Sequence, residues 1–338
     1  MTTLVDLDPD YAIWIGVEGR TGEYGDLSPA GHEARTAAAR AAAAKLSAEA
    51  PVDAVDEVTK TDLLAQLNLE LESAELGLHL RDLNVIASPA QGIRDSFDLM
   101  PTATDDNWER IAERMSNVPG AVSGYIETLR EGISRGIVPA RRQVAEVAKQ
   151  ARKHANPAGF FGEFADSAAA EGGAELPAAL REGLRSGAAA ASAAYGELAD
   201  FLEKELAPSA GEQDGVGRDM YALHSRSFLG AEIDLDETYE WGIAELRRMI
   251  DEQTRTAGEI VPGASVEEAI AALEADPSRK LHGTKALQEW MQETSDRAVA
   301  DLAKTHFDIP DAIRRLECMI APTQEGGIYY TGPSDDFS

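Results

Sequence analysis

The chain has almost no cysteine. Cys318 is the only one in 338 residues, so no intrachain disulfide can form, no second thiol stands at metal-binding spacing, and a reducing compartment is permitted. Aromatic residues make up only 6%, which leaves alanine and leucine to supply most of the apolar surface. Basic residues are outnumbered: 31 Lys and Arg against 60 Asp and Glu give a formal net charge of −29. A nucleic-acid duplex carries a negative charge about every 1.7 Å of its axis and would repel such a chain. An anionic membrane would do the same, so neither is expected as a partner. The acidity reads instead as solubility. No window approaches the roughly 20 apolar residues of a membrane span. Met1 to Asp10 also lacks the basic start and apolar run of a signal peptide, and a cytoplasmic location is the expectation.

Catalytic signatures are missing as well. The six histidines, His32, His79, His154, His224, His282 and His306, never fall at the spacing that puts two on one helical face, as a zinc pair requires. His32-Glu33 opens like a zincin motif, but Thr36 stands where the second histidine belongs. Neither a Gly-x-Ser-x-Gly elbow nor a Walker loop occurs. Gly215-Val-Gly217 begins like a dinucleotide fingerprint, yet Met220 replaces the third glycine and a polar loop precedes it. Paired carboxylates such as Asp105-Asp106 and Glu267-Glu268 recur along the chain and read as solvated faces. No catalytic residue, metal ligand or cofactor is therefore assigned within the sequence.

What the sequence does have is helix signal. Alanine runs at 37–39, 41–44 and 188–191 favour helix because alanine loses no side-chain entropy there. Ser28-Pro29 places an N-cap before a proline at the first helical position and starts a helix that Pro51 ends. Leu64, Leu67, Leu71 and Leu78 step by three or four and predict a core-facing helix over 56–82. Trp108, Ile111 and Met115 mark another, followed by a joint at Val118-Pro119 and a helix over 120–136. Val144, Val147 and Ala151 continue the pattern, and residues 176–206 read as a long alanine-rich helix. Asp234 with Glu237 suggests a capping box, with Leu235, Tyr239, Ile243, Leu246 and Ile250 as its buried face. Only near the end does the period change: 316–320 and 328–331 look like short strands around a turn at 322–327. The expected fold is all-α with a short β element near the C-terminus. It is organised as an irregular glycine-punctuated arm (1–27), one helical region (28–312) and a short final segment (313–338).

Two clusters carry a functional reading. Arg218, Tyr221, His224 and Arg226 concentrate basic and aromatic groups in an acidic chain and could bind a substrate carboxylate, or equally serve helix-to-helix hydrogen bonding. Tyr329-Tyr330 sits in an expected strand, where alternation sends one ring to each face and lets one line a cleft.

Several longer stretches resemble a known family. They are Ile93-Arg94-Asp95-Ser96-Phe97-Asp98-Leu99-Met100-Pro101, Arg114-Met115 to Val118-Pro119, Ala140-Arg141-Arg142-Gln143-Val144, Gly217-Arg218-Asp219-Met220-Tyr221 and Glu237-Thr238-Tyr239-Glu240-Trp241-Gly242. Through them nearly the whole chain resembles the bacterial domain of unknown function 885. Members of that family look like helical zinc metallopeptidases with a deep cleft. The resemblance implies a peptide or small-amide substrate, and it implies zinc only for full-length relatives, whose His-Glu and Pro-Gly-His-His motifs have no counterpart here. Three readings stay open. The chain is the N-terminal half of a metallopeptidase-like hydrolase, inactive alone and able to self-associate through a cut face; or a non-catalytic helical binding or scaffold module; or a hydrolase with other chemistry.

Overall fold

The computed structural model describes residues 2–16 and 19–321. These are predominantly helical, and no strand occurs among them. The chain divides between Glu232 and Ile233 into two compact units, 1–232 and 233–338. That boundary falls inside the stretch which the sequence presents as one helical region.

The first unit opens with α1 (Thr2–Leu7) and α2 (Pro9–Trp14), where the sequence suggested an irregular arm. Pro9 at the first helical position fixes φ for the turn, and Ala12 and Ile13 are buried, so tertiary packing decides the conformation despite the glycines nearby. Helix α3 (Pro29–Ala48) begins as expected, with the Ser28 hydroxyl accepting from the Gly31 amide at 3.4 Å. It pairs with α4 (Ala54–Glu75), capped by Asp53, whose carboxylate accepts from the amides of Val55 and Asp56, both at 2.9 Å. Helix α4 is not the core helix its leucines predict. It buries no residue; Leu64, Leu67 and Leu71 are only half-buried. It also stops before Leu78, because Gly77 takes the left-handed conformation (φ 69°) and the chain turns into a 3-10 segment, Leu78–Arg81.

Helix α5 (Pro89–Asp95) leads into the axis of the unit, α6 (Asp105–Arg135). The sequence divided this stretch at Val118-Pro119, but the helix runs through Pro119 without a break. An interior proline costs about 3 kcal/mol. That cost is offset by a continuous buried face: Ile111, Met115, Val118 and Leu129 are fully enclosed. Helices α7 (Arg141–His154), α8 (Phe160–Asp166) and α9 (Ala178–Phe201) complete the core, with α9 lying along α6 and against both others. Gly187 is what lets α9 approach so closely, since a Cβ there would sit 2.8 Å from that of Met115. Helix α9 continues into a π-helical turn, Leu202–Leu206, and a short α10 (Ala207–Ser209). The expected helix over 176–206 is present but changes its winding at Leu202. The unit closes with α11 (Arg218–Leu229), which packs on α4 and buries Leu223.

A buried arginine ties the amino-terminal residues to this core. Arg114 of α6 is 0% exposed. It donates to the carbonyls of Thr21 (3.1 Å) and Glu23 (2.5 Å) and to Ser96 Oγ (3.0 Å), pairs with Asp10, and lies 3.7 Å over the Tyr24 ring. Every member of the fork has a partner, which is the condition for a charged group to remain buried.

The second unit contains α12 (Leu235–Ile260), α13 (Val266–Ala275) and α14 (Thr284–Thr305). Asp234 caps α12 by accepting from the amides of Asp236 and Glu237, and Ser265 with Glu268 forms a complete capping box on α13. Residues 316–320 are not a strand. Their backbone groups are met by side chains: Gln292 donates to the Leu316 carbonyl at 2.7 Å and accepts from the Cys318 amide at 2.9 Å, while Gln288 donates to the Cys318 carbonyl at 2.9 Å. Glutamine side chains do the work of a partner strand, so the alternating pattern needs no ladder. The second expected strand, 328–331, lies outside the described residues.

Candidate functional site

The basic and aromatic cluster lies on α11. Arg226 reaches back to α4 and binds the Glu72 carboxylate at 2.7 Å, which is the helix-to-helix role weighed against a substrate role. Tyr221 and His224 lie on the exposed side of the helix, as does Arg218 at its first turn. Tyr329 and Tyr330 lie outside the described residues.

Where the start of α3 meets the Leu78–Arg81 segment, the fold brings together two residues that the sequence keeps apart. His32 sits in the first turn of α3 and His79 in the 3-10 segment after Gly77. Their rings stack with centroids 4.5 Å apart and planes 28° apart. Arg35, one turn beyond His32, donates from Nη2 to His32 Nδ1 at 3.1 Å and from Nη1 to the Asp26 carbonyl at 2.8 Å. Burial, with the Arg35 guanidinium and the His79 ring beside it, holds the His32 imidazole down at about 3. Burial also lowers His79, against the pull of Glu131. No periodicity could have revealed the pair, since each histidine stands at an element end and the turn at Gly77 is what aims the second at the first.

These residues do not fit a zinc site of the kind the resemblance implies. Imidazole lone pairs lie in the ring plane, so nearly parallel stacked rings do not converge on a common ion, and His32 Nδ1 already accepts from Arg35. Among the described residues no group of three His, Cys, Asp or Glu side chains is placed to hold a metal. The second unit has an open groove of about 480 Å³ lined by Gln288, Glu289, Gln292, Glu293, Asp296 and Cys318. Two of its six residues are the glutamines that anchor 316–318, and the other four are the carboxylates Glu289, Glu293 and Asp296 and the thiol Cys318.

The largest departure from sequence expectation is the surface of that second unit. Of the face expected to be buried on α12, Leu235 and Ile243 are half-buried, whereas Tyr239 is 67% exposed and Leu246 and Ile250 are about half exposed. Trp241, Met249, Ile270 and Trp290 are exposed as well, and only Ala257 and Ala269 are buried among the described residues of the unit. The helices carry apolar stripes that their own unit does not cover.

Residues 9–338 match the model of a family described as bacterial protein of unknown function (DUF885). The chain belongs to this family. The DUF885 match runs over nearly the whole chain and includes every stretch on which the sequence resemblance rested. No curated protein matches the chain. Solved structures that share its fold include two "putative lipoproteins". One is a "putative lipoprotein" from Colwellia psychrerythraea, with a TM-score of 0.73 at 15% identity. The other, from Shewanella oneidensis, carries the same description with function unknown and has a TM-score of 0.60 at 16% identity. Each comparison covers 99% of this chain and 63% of the other, so the chain spans less than two thirds of the length of either. Among the described residues no helix is long and apolar enough to cross a membrane.

Proposed function

We propose that this DUF885 chain is the helical, non-catalytic portion of a zinc metallopeptidase-like hydrolase. Its role is to grip a further stretch of polypeptide through the open apolar faces of α12, α13 and α14. The observation that carries the reading is the exposure of Tyr239, Leu246, Met249, Ile250 and Trp290 on helices that bury almost nothing within their own unit. Soluble monomers seldom leave a contiguous apolar patch above a few hundred Å² uncovered. The length of the two similar solved structures beyond the matched region supports the reading, because it supplies polypeptide for such a face to meet. On this reading the zinc ligands and general base belong to that further stretch, and the substrate is a peptide or small amide. Tyr221 and His224, exposed on α11, are the candidates here for contact with a substrate carboxylate.

The purified chain should self-associate through the same face. Sedimentation velocity over a concentration series, with a hydrophobic dye titrated in parallel, tests this. Concentration-dependent association with dye enhancement is expected, and a compact monomer that leaves the dye silent would reject the reading in favour of a self-contained binding module.

A further inference from the structure

The His32–His79 stack has no part in the proposed platform, yet it stands where three elements meet. Helix α3 carries His32, the 3-10 segment carries His79, and α6 packs against both α3 and that segment. The α3–α4 hairpin is otherwise shallowly held: α3 buries only Gly31, Ala39 and Ala43, α4 buries nothing, and α11 meets α4 through the half-exposed Arg226–Glu72 pair.

The charged groups facing the pair come from each element packed around it. Arg35 is on α3, Asp26 in the turn before it, Glu70 on α4 beside Arg35, and Glu131 and Arg135 on α6. Arg35 is fixed by its bond to the Asp26 carbonyl, so it cannot swing away from His32 without breaking a second contact. Because a guanidinium only donates, His32 Nδ1 must be the acceptor, which leaves its proton on Nε2. Protonating His32 would remove the acceptor, set a donor against a donor, and place an imidazolium between Arg35 and the stacked His79 ring. Asp26 and Glu131 offset this only in part, since burial outweighs them at both rings.

We infer that the His32–His79 stack is an acid-released latch that holds the α3–α4 hairpin against the Leu78–Arg81 segment and the adjoining end of α6. In the closed latch His32 takes up a proton only near 3, whereas a released, solvated histidine does so near 6.5. The released state therefore binds the proton more readily throughout that interval. The closed state is fully favoured above 6.5 and loses ground as pH falls toward 3. At pH 5 the closed-to-open ratio should drop by about 30-fold from His32 alone, with His79 acting in the same direction and the carboxyls of Glu70 and of Asp82, at the end of the 3-10 segment, both raised by burial, opposing it.

Pulsed electron-spin distance measurement on the full chain tests the latch. Nitroxides at Val52→Cys, on the exposed hairpin tip, and Ser123→Cys, on the exposed side of α6, in a Cys318→Ser background report the hairpin position. One narrow distance is expected at about pH 7.5 and a second, longer population at about pH 5, with helicity by circular dichroism unchanged between them. The pair His32→Phe with His79→Phe keeps two stacked rings without a titrating nitrogen and should hold the narrow distance at both pH values. An unchanged wild-type distance, a pH-dependent distance in the Phe pair, or loss of helicity over the same range would each overturn the latch. Where the Phe pair does not fold, the titration of the wild-type His32 ring by nuclear magnetic resonance decides: a midpoint well below 6.5 supports the latch, and one at or above 6.5 refutes it.

Discussion

Arg114 shows how much a single side chain can organise. It is enclosed completely, and its partners are two backbone carbonyls of the amino-terminal segment, Ser96 Oγ and the Asp10 carboxylate. Removing the guanidinium leaves the carbonyls undonated and Asp10 facing a cavity, so Arg114→Ala should lose about 3–5 kcal/mol. Urea denaturation would measure it, and a loss below about 1 kcal/mol would show that the segment is held by something else. Two glycines of α9 give predictions of opposite sign. A methyl at Gly187 would meet the Met115 Cβ at 2.8 Å and the Ala112 carbonyl at 3.3 Å, both on the packed face of α6. Gly187→Ala should therefore destabilise by about 1–3 kcal/mol through overpacking. A methyl at Gly183 finds its nearest neighbour at 4.0 Å. Gly183→Ala should instead stabilise by about 0.5–1 kcal/mol, because alanine loses less backbone entropy in a helix. Thermal melts of the two variants side by side would check both signs.

At the scale of elements, the features legible in the sequence were the local ones. Ser28, Asp234 and Ser265 cap helices because a short side-chain oxygen beside free amides needs no distant partner. Val144, Val147 and Ala151 line the buried side of α7 as their spacing predicts. What spacing could not convey was whether another element covers a stripe. The leucines of α4 have helical spacing and remain half-buried, and Pro119 reads as a break although packing carries α6 through it. The histidine pair was illegible for the same reason, since it exists only once the 3-10 turn at Leu78–Arg81 meets the start of α3. The shallow burial of α4 has a measurable consequence. Native-state hydrogen exchange should find Ala54–Leu63, at the hairpin tip, opening at far lower free energy than Ile111–Leu129 or Leu184–Ala199, because protection follows buried contact. Equal protection across these stretches would contradict the picture of a hairpin standing off the core.

At the scale of the whole molecule, two properties oppose each other. A net charge of −29 keeps copies of the chain apart, while the uncovered side chains of α12–α14 draw apolar surfaces together. Their balance fixes how association responds to salt. Charge repulsion reaches about 30 Å at 0.01 M ionic strength and only about 3 Å at 1 M, whereas apolar attraction is not weakened by added salt in this range. Self-association through the open face should therefore strengthen as sodium chloride is raised from about 0.05 M to about 1 M. An interface built on ion pairs would do the reverse. Replacing Tyr239 and Trp290 by serine should reduce both association and dye binding at either salt concentration. It should leave the melting temperature nearly unchanged, since both side chains are about half exposed or more and contribute little to the fold of the free chain. Sedimentation across the salt series separates the outcomes. Association that weakens with salt would assign the contact to charges, and a double variant that associates as well as the parent would place the face elsewhere on the chain.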